Sequence, residues 1–403
     1  MACVDDVHET EYKCEFQLKY GVNPHQDQSH IWSMKDSSLP FKILNGKPGY
    51  INLMDALNAW QLVKELRESL NVPAAASFKH VSPAGAAIAV PLSDKLRETY
   101  ELGDKELSES ALAYIRARNA DPKSSFGDFA ALSDTVDLST AMFIKTCVSD
   151  GIIAPGYDDD ALAILSAKKG GKYIVLEADA DYKAPDVEFR EIFGVVFSQK
   201  RNQLLINEEN SLQRIVTKNS EIPSGARRDL ILAAIALKYT QSNSVGFALD
   251  GQMIGVGSGQ QSRVDCVRLA GGKALVWYLR QHPRVLGLKF KKGTKKVARL
   301  NARIQFIEGE FTPPEHKAWA LNFDEVPEPL TSEEKAEFLK KFRGVSLSSD
   351  AFFPFRDNID QASRFGVSYI LQAGGSVQDP SVIGACDEYD IAMALNGIRL
   401  FHH

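Results

Sequence analysis

Cysteine is scarce in this sequence, and the spacing of the few cysteines excludes two kinds of site. The 403 residues contain five cysteines, and no pair has the spacing Cys-x-x-Cys. The five are Cys3, Cys14, Cys147, Cys266 and Cys386. An odd and widely dispersed set argues against a disulfide framework and against a cysteine-rich metal site. We therefore expect reduced thiols, as in the cytosol.

The sequence also lacks long apolar runs and an excess of positive charge. No stretch approaches the roughly 18 consecutive apolar residues of a membrane span, and the acidic start, Asp5 to Glu11, is unlike a signal or transit peptide. The net charge of -5 gives no bulk attraction to nucleic acid. The basic run Lys289 to Lys296 is typical of a solvated face, because only Phe290 interleaves an aromatic ring there. We expect a cytoplasmic protein without membrane or nucleic-acid partners.

Strand patterns alternate with helix patterns along the chain, without short repeats or low-complexity tracts. Ala74 to Phe78 and Tyr173 to Leu176 are short apolar runs that predict strands, and Asn52 is a candidate cap for the helix before the first of them. Asp250-Gly251 between two apolar runs predicts a β-hairpin. A long helix from about Gln261 to Gln281 follows. This pattern favours an α/β fold.

A charged, proline-containing stretch marks the expected division of the chain. We place it at Ala178 to Phe193, which gives two α/β units, residues 1–185 and 186–403. Each unit is expected to carry a polar loop between a strand and a helix, at Lys79 to Gly85 and at Gly257 to Arg263. Ligands of α/β folds tend to bind beside such loops, where helix amides face outward.

The first polar loop sets an ammonium group beside an imidazole. Lys79 and His80 follow the first predicted strand, and Pro83 and Gly85 are expected to break regular structure just beyond, so the pair is predicted to lie on a turn. An imidazole that titrates near neutrality, beside a fixed cation, suits a reaction that removes a proton and builds an oxyanion. Adjacent Lys and His also occur by chance, so the pair alone assigns no function.

The second polar loop, Gly255 to Arg263, is similar to a phosphate loop without matching one. No Gly-Lys-Ser/Thr follows, and the spacing is not Gly-x-Gly-x-x-Gly, which disfavours nucleoside triphosphate binding. Its glycines still predict a cluster of amide donors at a helix start, where the forked guanidinium of Arg263 can bind phosphate or carboxylate. A helix cap with a surface arginine is the alternative interpretation.

Other polar segments are further candidates for ligand contacts. Tyr239 to Ser244 is an unbroken polar run ahead of a strand, in which Asn243 can orient a carbonyl or an amide. Asp128 and Asp150 lie in turn-like segments, where composition alone favours helix capping or an Asx turn over a ligand contact. Ser348 to Asn358 joins three aromatic residues to a helix-start pattern.

Taken together, these segments resemble a known family. The motifs in chain order are Lys19 to Gln26, Lys79 to Gly85, Tyr239 to Val245, Gln260 to Arg263, Ser348 to Asn358 and Arg399 to His403. From about residue 15 to residue 403 the chain is similar to the 5-aminoimidazole-4-carboxamide ribonucleotide (AICAR) formyltransferases of purine biosynthesis. Family members usually carry an inosine monophosphate cyclohydrolase domain ahead of this region. We therefore expect a free-standing transformylase or a piece of a longer one.

The resemblance implies an α/β fold of two cytidine-deaminase-like three-layer subdomains, the second with a helical insertion. It also implies a homodimer with active sites at the interface. The implied reaction transfers a formyl group from 10-formyltetrahydrofolate to the 5-amino group of AICAR. Zinc deaminases of this fold need a Pro-Cys-x-x-Cys element, which this sequence lacks, so we expect no zinc. Some relatives hold a structural potassium ion near the tail.

By the same resemblance the predicted site residues form three groups. His80 is the proton acceptor, Lys79 stabilises the tetrahedral intermediate or the leaving folate nitrogen, and Asn243 orients reacting groups. The nucleotide-binding residues are Lys19, Tyr20, Gly127, Asp150, Arg263 and Arg399. The folate-binding residues are Val264, Phe352, Asp357, Ser376 and Val377. Lys19 stands where the family commonly has arginine, so it supplies charge without a bidentate fork.

Two rival functions stay open. An enzyme that uses formate and ATP is disfavoured by the missing phosphate loop. A non-catalytic nucleotide- or RNA-binding protein would rely on Lys289 to Lys296 instead of the Lys79-His80 pair.

Overall fold

A computed structural model describes residues 10–403, and a single large sheet dominates it. The sheet has eleven strands, and two separate two-stranded sheets accompany it. Helices cover both faces of the large sheet, which confirms the expected α/β three-layer fold. Cys3 and most of the acidic start lie outside the described residues.

The first half of the chain follows a strand-and-helix order and contributes six neighbouring strands to the large sheet. Its elements are β1 (Tyr12–Gln17), β2 (His30–Met34), β3 (Phe41–Asn45), α1 (Tyr50–Leu70), β4 (Ala74–Lys79), β5 (Ser82–Ile88), α2 (Asp94–Thr99), α3 (Glu109–Ala120), β6 (Asp128–Leu132), α4 (Leu138–Lys145), β7 (Ser149–Ala154), α5 (Asp159–Gly171) and β8 (Ile174–Ala178).

The second half repeats that order with additional helices. Its elements are β9 (Val187–Ile192), β10 (Val195–Lys200), α6 (Glu208–Ser211), α7 (Ser224–Lys238), β11 (Ser244–Leu249), β12 (Gln252–Ser258), α8 (Arg263–Leu279), α9 (Pro283–Leu286), α10 (Lys296–Glu308), α11 (Pro313–Ala320), α12 (Ser332–Leu339), β13 (Val345–Ser349), α13 (Asp357–Ala362), β14 (Val367–Gln372), α14 (Asp379–Glu388) and β15 (Ala392–Leu395).

The large sheet contains the same five-strand arrangement twice. The strand order is β5-β4-β6-β7-β8 in one half and β12-β11-β13-β14-β15 in the other, and β3 adds an edge strand to the first. In each half a hairpin pairs antiparallel with a third strand, which then begins a parallel run. The strands β5 and β12 pair antiparallel at the centre. The two halves are therefore related by an approximate two-fold rotation.

Small side chains let helices approach the sheet closely on both faces. Ala74 and Ala76 of β4 point into the core beneath α1 and α7, whereas Ala75 points into the core beneath α3. Gly85 of β5 faces α3 so closely that a Cβ there would lie 2.1 Å from the Ala117 carbonyl oxygen. Gly255 of β12 faces α8 in the same way, 2.1 Å from the Ala270 carbonyl oxygen. In both halves, a glycine on a strand therefore allows a helix to pack close to the sheet.

Two sequence predictions about the first half are wrong. The segment Lys79 to Gly85 is not a strand-to-helix loop, because β5 begins at Ser82 and includes both Pro83 and Gly85. Pro83 lies opposite the point where the ladder to β4 is irregular, and there a missing amide is tolerated. Asn52 does not precede its helix, since α1 begins at Tyr50 and the Asn52 side chain instead accepts a hydrogen bond from the Gly49 amide at 3.0 Å.

Other predicted elements are confirmed. The Asp250-Gly251 turn joins β11 to β12, and Gly257 to Arg263 does connect a strand to a long helix. The stretch Ala178 to Phe193 contains β9, which forms an exposed hairpin with β10. The division at residue 185 stays a prediction, because the two halves share one sheet. Within residues 10–403, no helix combines the length and the apolar character needed to cross a membrane.

Candidate active site

Most of the predicted site residues lie along one edge of the large sheet. At this edge β4, β12 and β13 end and β6, β7 and β11 begin, because the antiparallel pairings set ends against starts. The parallel strand β14 also ends there, ahead of Ser376 and Val377. We call this the site edge. Topology alone therefore gathers residues from distant parts of the chain.

Lys79 and His80 lie where β4 turns into β5. Lys79 is the last residue of β4, and the two-residue turn consists of His80 and Val81, with φ of 53° and 58°. Two left-handed residues between antiparallel strands form the turn type that matches the twist of a hairpin. His80 is exposed to solvent. Its imidazole is therefore accessible to a ligand.

The Lys79 ammonium is held beside two predicted nucleotide-binding residues. Its Nζ donates a hydrogen bond to the Phe126 carbonyl oxygen. Gly127 follows with φ of 77°, and a Cβ there would lie 3.7 Å from Lys79 Nζ and 4.0 Å from Asp150 Oδ2. Asp150 also pairs with Lys169 at 2.6 Å. The cation, the glycine backbone and the carboxylate thus form one polar group on the site edge.

Arg263 and Asn243 form a second polar group farther along the site edge. Arg263 is buried and pairs with Asp350, whose side chain is fully buried. The other guanidinium arm donates to Asn243 Oδ1 at 2.7 Å, and Asn243 Nδ2 donates to the Gln260 and Gln261 carbonyl oxygens at 3.1 and 3.2 Å. A surface arginine, the alternative interpretation from the sequence, is therefore wrong. Asp350 neutralises much of the arginine charge, and sequence reasoning did not single it out as the partner.

A cavity of about 590 Å³ opens beside the Arg263 group. Predicted residues of all three groups line it, namely Asn243, Arg263, Arg399, Val264, Phe352 and Asp357. Its wall also includes Asn358, whose buried Oδ1 has no hydrogen-bond partner among residues 10–403. An unpaired buried acceptor at a cavity wall is costly unless a ligand or water satisfies it. Sequence reasoning missed Asn358, although it lies beside Asp357 in the quoted motif.

The carboxy-terminal tail links the two polar groups. The Leu400 amide donates to the Asp350 carbonyl oxygen at 2.8 Å, and the Ser242 amide donates to the His402 carbonyl oxygen at 3.0 Å. The Gln241 amide in turn reaches Ser82 Oγ, just after the His80 turn, at 3.4 Å. Burial lowers the pKa of His402, and the nearby Glu188 of β9 opposes that shift. The tail is therefore part of the site edge.

Four predicted residues belong neither to the cavity wall nor to the polar group around Lys79. Lys19 and Tyr20 are exposed in the segment after β1, where Lys19 Nζ lies 5.8 Å from the centre of the Tyr20 ring. Ser376 Oγ accepts a hydrogen bond from the Gln378 amide at 3.1 Å, and Val377 is 94% exposed. Neither pair lines the cavity, so their roles stay predictions.

The described residues offer no cluster of three or more His, Cys, Asp or Glu side chains arranged to hold a metal ion. Potassium would instead require carbonyl and hydroxyl oxygens, and the tail carbonyl of His402 and the carbonyl of Asp350 already accept backbone hydrogen bonds. These contacts do not point to an ion. The potassium prediction stays open, and we derive no step from it.

The basic run Lys289 to Lys296 lies on a largely exposed loop that leads into α10, whose first residue is Lys296. Its one aromatic residue, Phe290, stacks on Phe323 with ring centres 5.0 Å apart. The ring therefore packs inside the helical cluster. This geometry favours a solvated face, because stacking of bases needs accessible rings.

Comparisons with known proteins match this chain to proteins of purine biosynthesis. A family model described as AICARFT/IMPCHase bienzyme matches residues 3–273. The curated relatives include proteins named bifunctional purine biosynthesis protein PurH. The one from Persephonella marina is 30% identical over 409 residues, which cover 99% of this chain and 62% of that protein. The one from Roseobacter denitrificans is 31% identical over 390 residues, which cover 96% and 59%. The chain thus spans about three fifths of the length of these relatives.

Proposed function

Because the chain belongs to the AICARFT/IMPCHase bienzyme family, we propose that it transfers a formyl group from 10-formyltetrahydrofolate to the 5-amino group of AICAR. The products are 5-formamidoimidazole-4-carboxamide ribonucleotide and tetrahydrofolate, and the setting is cytoplasmic purine biosynthesis. One observation carries the proposal. The Lys79-His80 turn and the Arg263 cavity lie on the same site edge and are linked by the tail.

The chemistry requires a base and a cation at one place. The amine of AICAR is a weak nucleophile, because its lone pair is delocalised toward the carboxamide. As its nitrogen bonds to the formyl carbon, His80 accepts the proton and the carbonyl oxygen becomes an oxyanion. The oxyanion then re-forms the carbonyl as the bond from carbon to the folate nitrogen breaks, and that nitrogen leaves with the proton that His80 had accepted. Lys79, held by the Phe126 carbonyl, still has two N–H donors for the oxyanion or the leaving nitrogen.

Both polar groups contribute to substrate binding, because Arg263 and Arg399, which are assigned to the nucleotide, lie in the wall of the cavity that takes the folate. Gly127 has no side chain, so a nucleotide can approach its backbone beside Asp150. The cavity of about 590 Å³ lies in the range of ordinary small-molecule sites. Phe352, 41% exposed, offers a ring face for the pterin, and Asp357 offers a carboxylate for its ring nitrogens. Val264 and the Ser376-Val377 segment are assigned to the same folate.

We also propose that the protein works as a homodimer with its sites at the interface. Phe352, Phe401 and Val377 expose apolar surface along the site edge, and the hairpin of β9 and β10 exposes more beside the tail. A second copy that covers this surface would exclude water from the transfer step.

The test is a comparison of formyl donors with the purified protein. We expect tetrahydrofolate release, followed by ultraviolet absorbance, when AICAR and 10-formyltetrahydrofolate are mixed with it. Turnover with formate plus ATP, and none with the folate, would reverse the assignment of the donor. No turnover with either donor contradicts the proposal.

The His80→Ala variant tests the proton acceptor. General base assistance is worth about 10²- to 10⁴-fold, so kcat should fall by that range. Calorimetry should show AICAR affinity nearly unchanged, because the base acts in the transition state. His316→Ala, an exposed imidazole on α11, serves as the control and should keep full activity. Unchanged turnover in His80→Ala would remove His80 from this role.

A further inference from the structure

Each half of the sheet holds its hairpin turn with a carboxylate from the preceding helix. Asp55 is the sixth residue of α1, and its Oδ1 accepts a hydrogen bond from the Val81 amide at 2.6 Å. Asp229 is the sixth residue of α7, and its Oδ1 accepts one from the Gly251 amide at 2.7 Å. Asp55 and Asp229 are 6% and 3% exposed. The approximate two-fold rotation therefore relates two equivalent contacts.

The turn that Asp55 holds is the more strained of the two. Both of its residues, His80 and Val81, have positive φ without being glycine. A left-handed residue other than glycine costs about 1–2 kcal/mol, and a β-branched residue such as valine adopts this conformation rarely. The turn at Asp250-Gly251 has glycine at its second position and carries no predicted site residue. Hydrogen bonds to the turn amides are thus needed most where His80 lies.

The Asp55 carboxylate also lies within electrostatic reach of the His80 imidazole. Burial raises the pKa of Asp55, while hydrogen bonds from the Val81 and His80 amides and the His80 charge oppose that shift. Asp150 of β7 is the other carboxylate that acts on Asp55, and Lys79 is the neighbouring cation on β4. A negative charge beside an imidazole favours the imidazolium that forms when the imidazole takes a proton.

We propose that Asp55 is a positioning residue for the transfer reaction, which holds the His80 turn in its left-handed conformation and stabilises the protonated imidazole. This inference rests on the proposed function, in which His80 accepts the proton from the AICAR amine. Unlike the carboxylate of a catalytic triad, which binds the imidazole directly, Asp55 acts through the backbone amides of the turn and through its charge. Asp229 holds the equivalent turn for structure alone.

The chain supplies a matched control for this inference. Asp55→Asn and Asp229→Asn each remove a charge from equivalent buried positions, and each leaves an oxygen able to accept one amide hydrogen bond. Asp229 also pairs with the Arg228 guanidinium at 3.1 Å, so both variants should lower the midpoint of urea unfolding, without having to do so equally. Only Asp55→Asn should lower kcat, by about 10- to 100-fold, as expected for a misplaced base. The KM for AICAR should stay within about twofold, because the nucleotide contacts are untouched.

Two pH measurements separate positioning from general destabilisation. In Asp55→Asn the acidic limb of the kcat/KM profile should move to lower pH, because the charge that favours the imidazolium is gone. The His80 proton resonance, assigned by its loss in His80→Gln, should show the same displacement in an NMR titration. Asp229→Asn should leave both curves in place.

The NMR titration does not depend on turnover, so the two proposals can fail separately. A wild-type protein without formyl transfer overturns the proposed function, whereas the titration still decides whether Asp55 acts on His80. If Asp55→Asn and Asp229→Asn have equal kcat values and equal His80 titrations, the positioning role is wrong.

Discussion

At the scale of single residues, the pairing of Arg263 with Asp350 decides how the candidate cavity is built. The two side chains are 6% and 0% exposed, and Asp350 also accepts hydrogen bonds from the Ser244 amide and hydroxyl at 2.9 and 3.1 Å. A buried charge needs a partner of opposite sign and additional hydrogen bonds. The pair therefore fixes the start of α8 against the end of β13.

We expect Asp350→Asn to destabilise the protein strongly. The substitution keeps the shape of the side chain but leaves the Arg263 charge uncompensated, which costs about 3–5 kcal/mol for buried pairs. Urea unfolding at neutral pH measures this as a fall in the free energy of unfolding.

The exposed pair of Arg268 and Asp265 supplies the control for that experiment. Its side chains are 54% and 50% exposed, so Asp265→Asn should change the free energy of unfolding by less than about 1 kcal/mol. Equal effects of the two substitutions would mean that the Arg263 charge is solvated rather than buried.

Residue types and their spacing singled out the Lys79-His80 pair, Asn243 and Arg263, and the family resemblance supplied the other predicted residues of the cavity wall, but neither indicated their partners. Asp350 lies 87 positions from Arg263, and Asp55 lies 26 positions from Val81. No local pattern indicates such a contact, because it depends on which strands become neighbours. Asn358 could have been found from its place beside Asp357, whereas the burial of its oxygen could not.

At the scale of elements, the two hairpins show where the turn preferences of the residues are enough to predict a hairpin and where they are not. Asp250-Gly251 has the residues that a left-handed two-residue turn favours, and the predicted hairpin is confirmed. His80-Val81 lacks such residues, so the sequence suggested a strand-to-helix loop. The turn forms because β4 and β5 pair and Asp55 binds its amides, and both contacts are tertiary. At His80, the predicted base, tertiary contacts therefore override the local turn preference of the sequence.

The contact between β12 and α8 is the element-scale feature most sensitive to added volume. A Cβ on Gly257 would lie 2.1 Å from the Cys266 carbonyl oxygen, which is backbone and cannot rotate away. Gly257→Ala should therefore push α8 from the sheet, with a loss of about 1–3 kcal/mol as in other overpacked cores. Formyl transfer should fall with it, since α8 begins with Arg263. Thermal unfolding and the tetrahydrofolate assay measure the two effects.

Gly272 provides the comparison on the same helix. A Cβ there meets nothing within 4 Å, so Gly272→Ala should stabilise the helix by up to about 1 kcal/mol and leave turnover unchanged. A harmless Gly257→Ala would show that α8 does not approach β12 this closely.

At the scale of the whole molecule, the hairpin of β9 and β10 exposes an unusual amount of apolar surface. Val195, Val196 and Phe197 are 57%, 61% and 56% exposed, and Glu188 of β9 acts on the tail residue His402. An isolated two-stranded hairpin is marginally stable in water, so a covering surface would stabilise it. A second copy docked here would lie next to the site edge.

We expect light scattering after gel filtration to show twice the 44.5-kDa chain mass for the wild-type protein. The double substitution Val196→Ser with Phe197→Ser should shift the protein toward the monomer and lower formyl transfer in parallel. Leu321→Ser, which alters an exposed apolar residue after α11, should do neither. A wild-type monomer, or a double variant that stays dimeric and active, contradicts the proposal.

The unbroken central sheet constrains how substrates can enter. The core beneath α1 and α7 contains side chains from both halves, from Leu53 to Ala394, and β5 pairs with β12 across its middle. Because the two halves share this sheet and this core, they cannot rotate apart as two hinged domains do. Admission and release are therefore expected to depend on side chains and short segments at the cavity wall, among them Arg399 and Phe401 of the carboxy-terminal tail. Because Leu400, between those two residues, is 2% exposed and belongs to the same core, removing the tail should lower stability as well as remove part of the cavity wall.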